Sequence, residues 1–246
     1  MKYIKNDLFS RCGFDKVYYI GDLALLKRPA VSIVGSRRPT FYAKSMTKKI
    51  ASCYAKRGFA VVSGAAMGID AMAHEGAGYE NTIAVLPCSL DRVYPKSNAA
   101  LIEKIGRSGL LLSPFSPTFE ATKWSFVVRN RLVVALGDFL IVPEAESGGG
   151  SMRSAELALE MSKEILVLPH RLGESSGTFE LLRKGLAKEI IDLEKICPTE
   201  KSDPFIEYLK SSPFYDEALE RYPQQIVEAE LDQKIEVIDG KIFYKG

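Results

Sequence analysis

Residues 123–131 read Lys-Trp-Ser-Phe-Val-Val-Arg-Asn-Arg, a run in which cations interleave with rings. Lys123, Arg129 and Arg131 alternate with Trp124, the chain's one tryptophan, and with Phe126. A single strand of nucleic acid needs that mixture, because bases stack on rings while Lys and Arg neutralise phosphates. Stacking is worth roughly 1–3 kcal/mol per base, enough to matter beside salt-screened phosphate contacts. The same run also suits a core, with Trp124 and Phe126 buried and Arg129 and Arg131 capping neighbouring elements.

Three further segments carry glycine at the end of an apolar run. Val31-Ser-Ile-Val-Gly-Ser-Arg-Arg-Pro39 places Gly35, Ser36, Arg37 and Arg38 in a strand-to-helix turn. Such a turn offers backbone N–H groups to an anion. It has one glycine where a dinucleotide fingerprint has three, and no Walker lysine, so neither NAD nor a nucleoside triphosphate is its natural ligand. Residues 62–70, Val-Ser-Gly-Ala-Ala-Met-Gly-Ile-Asp, repeat the arrangement with Ser63 at the turn and Asp70 in the first helical turn, where a capping role suffices. Residues 146–153 hold Gly148, Gly149 and Gly150 before Ser151, which favours close backbone approach to a phosphate or sugar. Three such loops on one sheet edge suit a polyanion lying across it.

The elements that must position these loops follow from hydrophobic patterning. Short Val-, Ile- and Leu-rich runs at residues 31–34, 59–62, 82–86, 110–112, 139–142 and 165–168 recur at intervals of about 23–29 residues, with helical periodicity at 43–57 and 151–162. Continuous rather than alternating runs mean strands buried on both faces. The expected fold is α/β, an extended Rossmann-like, doubly wound, mostly parallel sheet with its ligand edge at the strand C-termini. A polar, two-proline stretch at 194–203 reads as a linker after a lead-in (1–30) and a main domain (31–193). Beyond it, helical stretches at 205–210, 215–222 and 224–232 precede a hairpin on Asp239-Gly240, the order of a small C-terminal winged-helix-like domain (204–246).

Charge and cysteine content narrow the function. Residues 202–246 carry ten acids against five bases, a net of −5, so the rest holds +7 of the chain's overall +2. The helix at 224–232 is itself acidic, which disfavours duplex DNA there and points to a protein contact. Cys12, Cys53, Cys88 and Cys197 are scattered, without metal-ligand spacing, and read as reduced, buried, apolar residues. No apolar stretch is long enough for a membrane span and no signal-peptide core opens the chain, so a cytoplasmic address is expected.

Taken together, GSRRP, SGAAMGID, LDRVYPKSN, FVVRNR, GGGSMRSAELA and the run at residues 176–185 resemble, in order and spacing, the DNA-processing protein A (DprA/Smf) family, over about residues 18–193. The resemblance implies a non-enzymatic homodimer without cofactor or metal. Such a protein binds single-stranded DNA without sequence specificity during natural transformation, protects it and loads the RecA recombinase. By motif, Gly35, Ser36 and Arg37 would form the phosphate pocket, with Arg38 and Ser63 in the same binding set. Lys123 and Phe126 would touch backbone and base, Arg129 and Asn130 would support the wall, and Gly150 and Ser151 would close the other side. The sequence departs from the family at Met67 (usually Arg), Val127 (often Pro), Ser154 (Thr) and Phe179 (Asn).

A rival on the same sheet is a nucleotide phosphoribohydrolase of the LOG-like class, which uses PGGxGTxxE to place a catalytic glutamate. Here that position is Ser154, and Glu156 falls about 200° further round a helix. General acid–base chemistry then has no placed group.

Overall fold

All six expected strands form, and the lead-in and the segment before the linker add three more. The computed structural model describes residues 2–193 and 204–245. The chain divides into two compact units, Met1–Cys197 and Pro198–Gly246.

In the first unit the chain order is β1 (Lys2–Ile4), α1 (Asp7–Arg11), β2 (Val17–Gly21), β3 (Ala30–Ile33), α2 (Phe41–Lys56), β4 (Ala60–Ser63), α3 (Ile69–Ala77) and β5 (Thr82–Val85). It continues through α4 (Ala99–Ser108), β6 (Leu110–Ser113), α5 (Lys123–Leu136), β7 (Phe139–Val142), α6 (Gly150–Glu160), β8 (Ile165–Val167), α7 (Ser176–Arg183) and β9 (Lys188–Glu189). The sheet runs β1-β2-β6-β5-β4-β3-β7-β8-β9. From β6 to β9 every pairing is parallel, while β2 joins β6, and β1 joins β2, antiparallel. The lead-in is therefore an integral edge of the sheet rather than a separate approach to it.

Alternate residues of each strand feed opposite faces. Val31, Ile33, Val61 and Ile141 pack with Ile50, Tyr54, Ile69 and Ala73 of α2 and α3. Ala60, Val62, Ile83, Leu140 and Val142 pack with Leu132–Ala135 of α5 and with Ala155 and Ala158 of α6. Both faces are thus covered, as a parallel sheet requires. The one polar residue inside β3, Ser32, is satisfied because its hydroxyl donates to the Val133 carbonyl (2.6 Å). Lys163, after α6, closes the end of α5 by donating to the Val134 and Ala135 carbonyls at 2.8 and 2.7 Å.

The strand order reverses at β3. From β3 the chain winds outward through β4, β5 and β6, then returns by α5 to place β7 on β3's other side, Ile33 opposite Ile141. A crevice at the C-terminal ends of two such strands is where open α/β sheets receive ligands.

The second unit holds α8 (Pro204–Lys210), α9 (Tyr215–Arg221), α10 (Pro223–Leu231) and the antiparallel hairpin β10 (Ile235–Ile238) and β11 (Lys241–Tyr244). Leu209, Ala218, Ile226, Ile235 and Ile242 form its core. Asp239 and Gly240 both have positive φ (51° and 75°), as a two-residue hairpin turn demands. Three helices and a hairpin are the expected winged-helix order. Several of its cations are internally engaged: Lys234 pairs with Asp232, Lys245 with Glu236, Arg221 lies over Tyr208 and Tyr222, and Lys241 over Phe214.

Cys12 and Cys88 are buried free thiols. Cys53 is disulfide-bonded, against the expectation of four reduced thiols; Cys197 and the linker at 194–203 lie outside the described residues. No described helix is long and apolar enough to cross a membrane.

Candidate nucleic-acid interface

A cleft of about 420 Å³ opens at the switch point, between the loop after β3 and the loop after β7. Gly35, Ser36 and Arg37 line one wall, Gly149, Gly150 and Ser151 the opposite one, and Phe126, Arg129 and Asn130 of α5 the floor between them. Eight of the eleven residues expected to bind nucleic acid therefore meet in one hollow. Arg38, Ser63 and Lys123 do not line it. Arg38 is exposed beside it, its backbone N–H donating to Ser36 Oγ (3.1 Å). Ser63 is buried because its hydroxyl donates to the Ile33 carbonyl (2.6 Å), joining β4 to β3. Lys123 is the first residue of α5, exposed to solvent.

The helical state of residues 123–136 changes how their motif reads. Two helical positions separate Trp124 from Phe126 by about 160°, so rings adjacent in sequence face opposite sides. Phe126 enters the cleft, whereas Trp124 lines a different groove. The interleaved run of the sequence is thus divided between two sides of the helix.

Phe126 is surrounded by polar and aromatic neighbours. The guanidinium carbons of Arg37 and Arg129 lie 5.3 and 5.9 Å from its ring centroid, and Tyr94 meets it edge-on at 5.5 Å. Cations over a ring face are held by its quadrupole. The two arginines differ in freedom. Arg37 is exposed, whereas Arg129 is 4% exposed and its Nη1 stands 3.8 Å from Asp70 Oδ2. Burial depresses the basicity of Arg129, opposed by Asp70, and the nearby Arg37 charge depresses it further. Arg129 thus stiffens the wall, and Arg37 is the solvent-exposed cation.

Asp70 is more than the helix cap its position suggested. Its carboxylate accepts from the backbone N–H groups of Gly64 (3.1 Å) and Ala66 (3.3 Å), tying down the loop after β4. Burial pushes its pKa up, and Arg129 and these N–H groups oppose that shift. Gly64 is required by the pair: a Cβ there would fall 1.1 Å from Arg129 Nη1.

The helix N-termini that follow the first and third loops differ in what already fills them. Ser36 N–H donates to the Glu144 carbonyl (2.8 Å) and is already engaged. The α2 N-terminus is capped by Thr40, and the buried Glu144 carboxylate accepts from the Thr40 N–H (3.0 Å) and hydroxyl (2.6 Å). A carboxylate of the protein itself thus occupies that anion site. The α6 N-terminus has no side-chain cap, and its Gly149, Gly150 and Ser151 face the cleft. Ser154, one turn further, is buried with its Oγ lacking a hydrogen-bond partner and lines the same hollow. Ser175 and the motif at 176–185 brace this loop: the Ser175 hydroxyl donates to the Ala145 carbonyl (3.3 Å), Ser176 Oγ accepts from the Ser147 N–H (2.9 Å), and Gly177 N–H donates to the Ala145 carbonyl (2.8 Å).

Two carboxylates reach the cleft, Asp70 committed to Arg129 and Glu146 accepting from the Ser176 hydroxyl. Glu156 lies on the outer face, paired with Arg153 at 2.6 Å. Met67, 46% exposed, borders a small hollow beside Arg37, Tyr94 and Phe126.

Comparisons with known proteins agree with this architecture. The DNA processing protein DprA of Bacillus subtilis is 33% identical over 181 residues, covering 72% of this chain and 61% of its own length. The Smf protein of Synechocystis is 36% identical over 177 residues, covering 69% and 44%. The chain thus spans about half the length of the curated relatives it matches. Among solved structures, DNA processing protein A from Helicobacter pylori, described for its single-stranded DNA binding mode, superposes with a TM-score of 0.77 at 43% identity, covering 80% of this chain and 94% of that one. DprA from Streptococcus pneumoniae gives 0.73 at 31% identity, covering 79% and 72%. The family model for DNA recombination-mediator protein A matches residues 15–200. By that match, across nearly the whole sheet and both walls of the cleft, this chain belongs to the DNA recombination-mediator protein A family.

Proposed function

We propose that the protein binds single-stranded DNA without sequence specificity in the switch-point cleft, protects it and delivers it to the RecA recombinase, acting as a cytoplasmic homodimer in natural transformation. The observation that carries the reading is the pairing of a solvent-exposed cation, Arg37, with an aromatic ring, Phe126, opposite the uncapped α6 N-terminus. A base reaches a ring face only when it is unstacked, so this pairing selects single strands over duplex. A phosphate at Gly150-Ser151 would meet N–H donors and the positive end of the α6 dipole, and would relieve the repulsion between Arg37 and Arg129. Of the two cleft carboxylates, Asp70 is committed to Arg129 and the Gly64 and Ala66 N–H groups, and Glu146 accepts from the Ser176 hydroxyl, an arrangement that favours binding over nucleotide hydrolysis.

Fluorescence anisotropy of labelled oligo-dT, its duplex and AMP across a salt series tests the reading. Tight, salt-sensitive binding confined to the single strand is expected. Arg37→Ala and Lys123→Ala should each weaken binding and reduce the salt slope by about 0.7, one phosphate contact apiece. Phe126→Ala should weaken binding at nearly unchanged slope. Unaltered slopes in both cation variants would overturn the cleft model, and binding or turnover of AMP without DNA binding would move the nucleotide-hydrolase class to the front.

A further inference from the structure

The side of α5 turned away from the cleft carries a second hollow. It measures about 460 Å³ and is walled by Phe14 and Phe115, Trp124 and Val127, Arg131 and Leu157. Phe115 is buried and meets Trp124 at 6.0 Å with 65° between the rings, holding the indole at its rim. Trp124 is nonetheless 63% exposed, far more than a core role for the largest side chain would leave. No carboxylate lines the groove, whereas Arg131 does, and Lys123 precedes the indole. Among the described residues neither cation is ion-paired.

We propose that this groove is a second nucleobase-stacking site with Trp124 as its platform. Its occupant is a base of the same single strand whose neighbouring base lies on Phe126. The inference rests on the cleft reading above. α5 starts where the loop leaving β6 reaches the C-terminal edge of the parallel strands, the edge on which the cleft opens. The two hollows therefore flank the first turns of one helix, about 10–12 Å apart across its diameter. An extended strand of one or two nucleotides covers that distance, with its phosphates passing Lys123. Charge selects the occupant: an open indole beside unpaired cations suits a base with its phosphate, since base–aromatic stacking needs a ring and backbone neutralisation needs a cation. The arrangement also gives Lys123, which stands outside the cleft, a phosphate to meet.

The chain's one tryptophan supplies the readout. Intrinsic fluorescence of the full chain is followed while unlabelled oligo-dT is added, with binding measured in parallel by anisotropy of labelled oligo-dT. Saturable quenching that tracks binding is expected. Trp124→Ala should bind oligo-dT about tenfold more weakly at an unchanged salt slope, and Trp124→Phe should recover most of that loss. Oligo-dT that binds without moving the fluorescence, and binds Trp124→Ala as tightly, overturns the groove and leaves the cleft reading standing. Fluorescence that changes with protein concentration instead of DNA makes the groove a contact between copies and overturns it as well. Absence of any binding to the parent chain removes the cleft reading and this inference with it.

Discussion

Gly64→Ala perturbs the cleft at its rear wall without touching a surface residue. The φ of Gly64 lies outside the left-handed region, so alanine meets no backbone penalty there. The difficulty is the side chain behind it: the new Cβ would stand 1.1 Å from Arg129 Nη1 and 2.3 Å from Cζ. Arg129 must withdraw, and Asp70 then keeps its two N–H donors but loses its countercharge. Removing one partner of a buried ion pair costs about 3–5 kcal/mol. The raised pKa of Asp70 sets the lower end of that range, because the carboxyl escapes part of the penalty by taking a proton. We therefore expect a loss of about 3 kcal/mol in urea unfolding at pH 7. The same substitution placed on Arg129→Met should cost less than about 1 kcal/mol, a coupling of about 2 kcal/mol typical of residues in contact. Equal losses in the two backgrounds would show that something other than Arg129 fills the space beside Gly64, and the account of the wall would fail.

Other outcomes follow from the same geometry. Met67→Arg, beside Arg37 and Phe126 on an exposed loop, should tighten oligo-dT binding and steepen its salt slope by about 0.7; an unchanged slope in the anisotropy titration would place residue 67 out of reach of the phosphates. His74 is buried with Nδ1 2.5 Å from Thr82 Oγ1, whose own proton goes to the Val61 carbonyl, so Nδ1 carries the hydrogen and the ring is neutral. Burial pushes its pKa down to about 3, below the unfolded value, so its contribution is complete above about pH 6.5 and is lost as pH falls toward 3. Stability measured by urea unfolding should drop by roughly 2 kcal/mol more in the parent than in His74→Asn between pH 7 and pH 5; parallel curves would mean that the folded ring accepts a proton. Gly240→Ala should weaken the C-terminal unit by about 1 kcal/mol, because its φ of 75° belongs to a hairpin turn that alanine adopts with strain, readable as faster amide exchange confined to β10 and β11.

Much of this architecture was legible in residue order. Strands such as residues 82–86 and 139–142 stood out because burial on both faces leaves unbroken apolar runs, and the glycine turns after β3 and before α6 marked the ligand edge. What escaped were contacts set by three-dimensional neighbours. Asp70 read as a helix cap because nothing local announces Arg129, 59 positions later. Glu144 meets Thr40 at the α2 N-terminus across a gap of 104 residues, a contact that nothing in the first loop's own sequence announces. Ser63 fitted a binding motif by position yet faces Ile33, since the direction of a strand residue depends on pleat register. That Trp124 and Phe126 stand on different sides of α5 follows only once residues 123–136 are known to be helical.

The reversal of strand order at β3 also has a kinetic meaning. Ile33 pairs with Ile141 over 108 positions of chain, so the two walls of the cleft belong to the most non-local step in assembling the sheet. As the polypeptide emerges in order, β3 to β6 can associate early, while β3 keeps a bare hydrogen-bonding edge until β7 arrives. During that interval the cleft has one wall only, and the unpaired edge is the point most open to misassociation. The residues that hold β7 against β3 therefore govern both when the cleft forms and how long the nascent chain is exposed to aggregation.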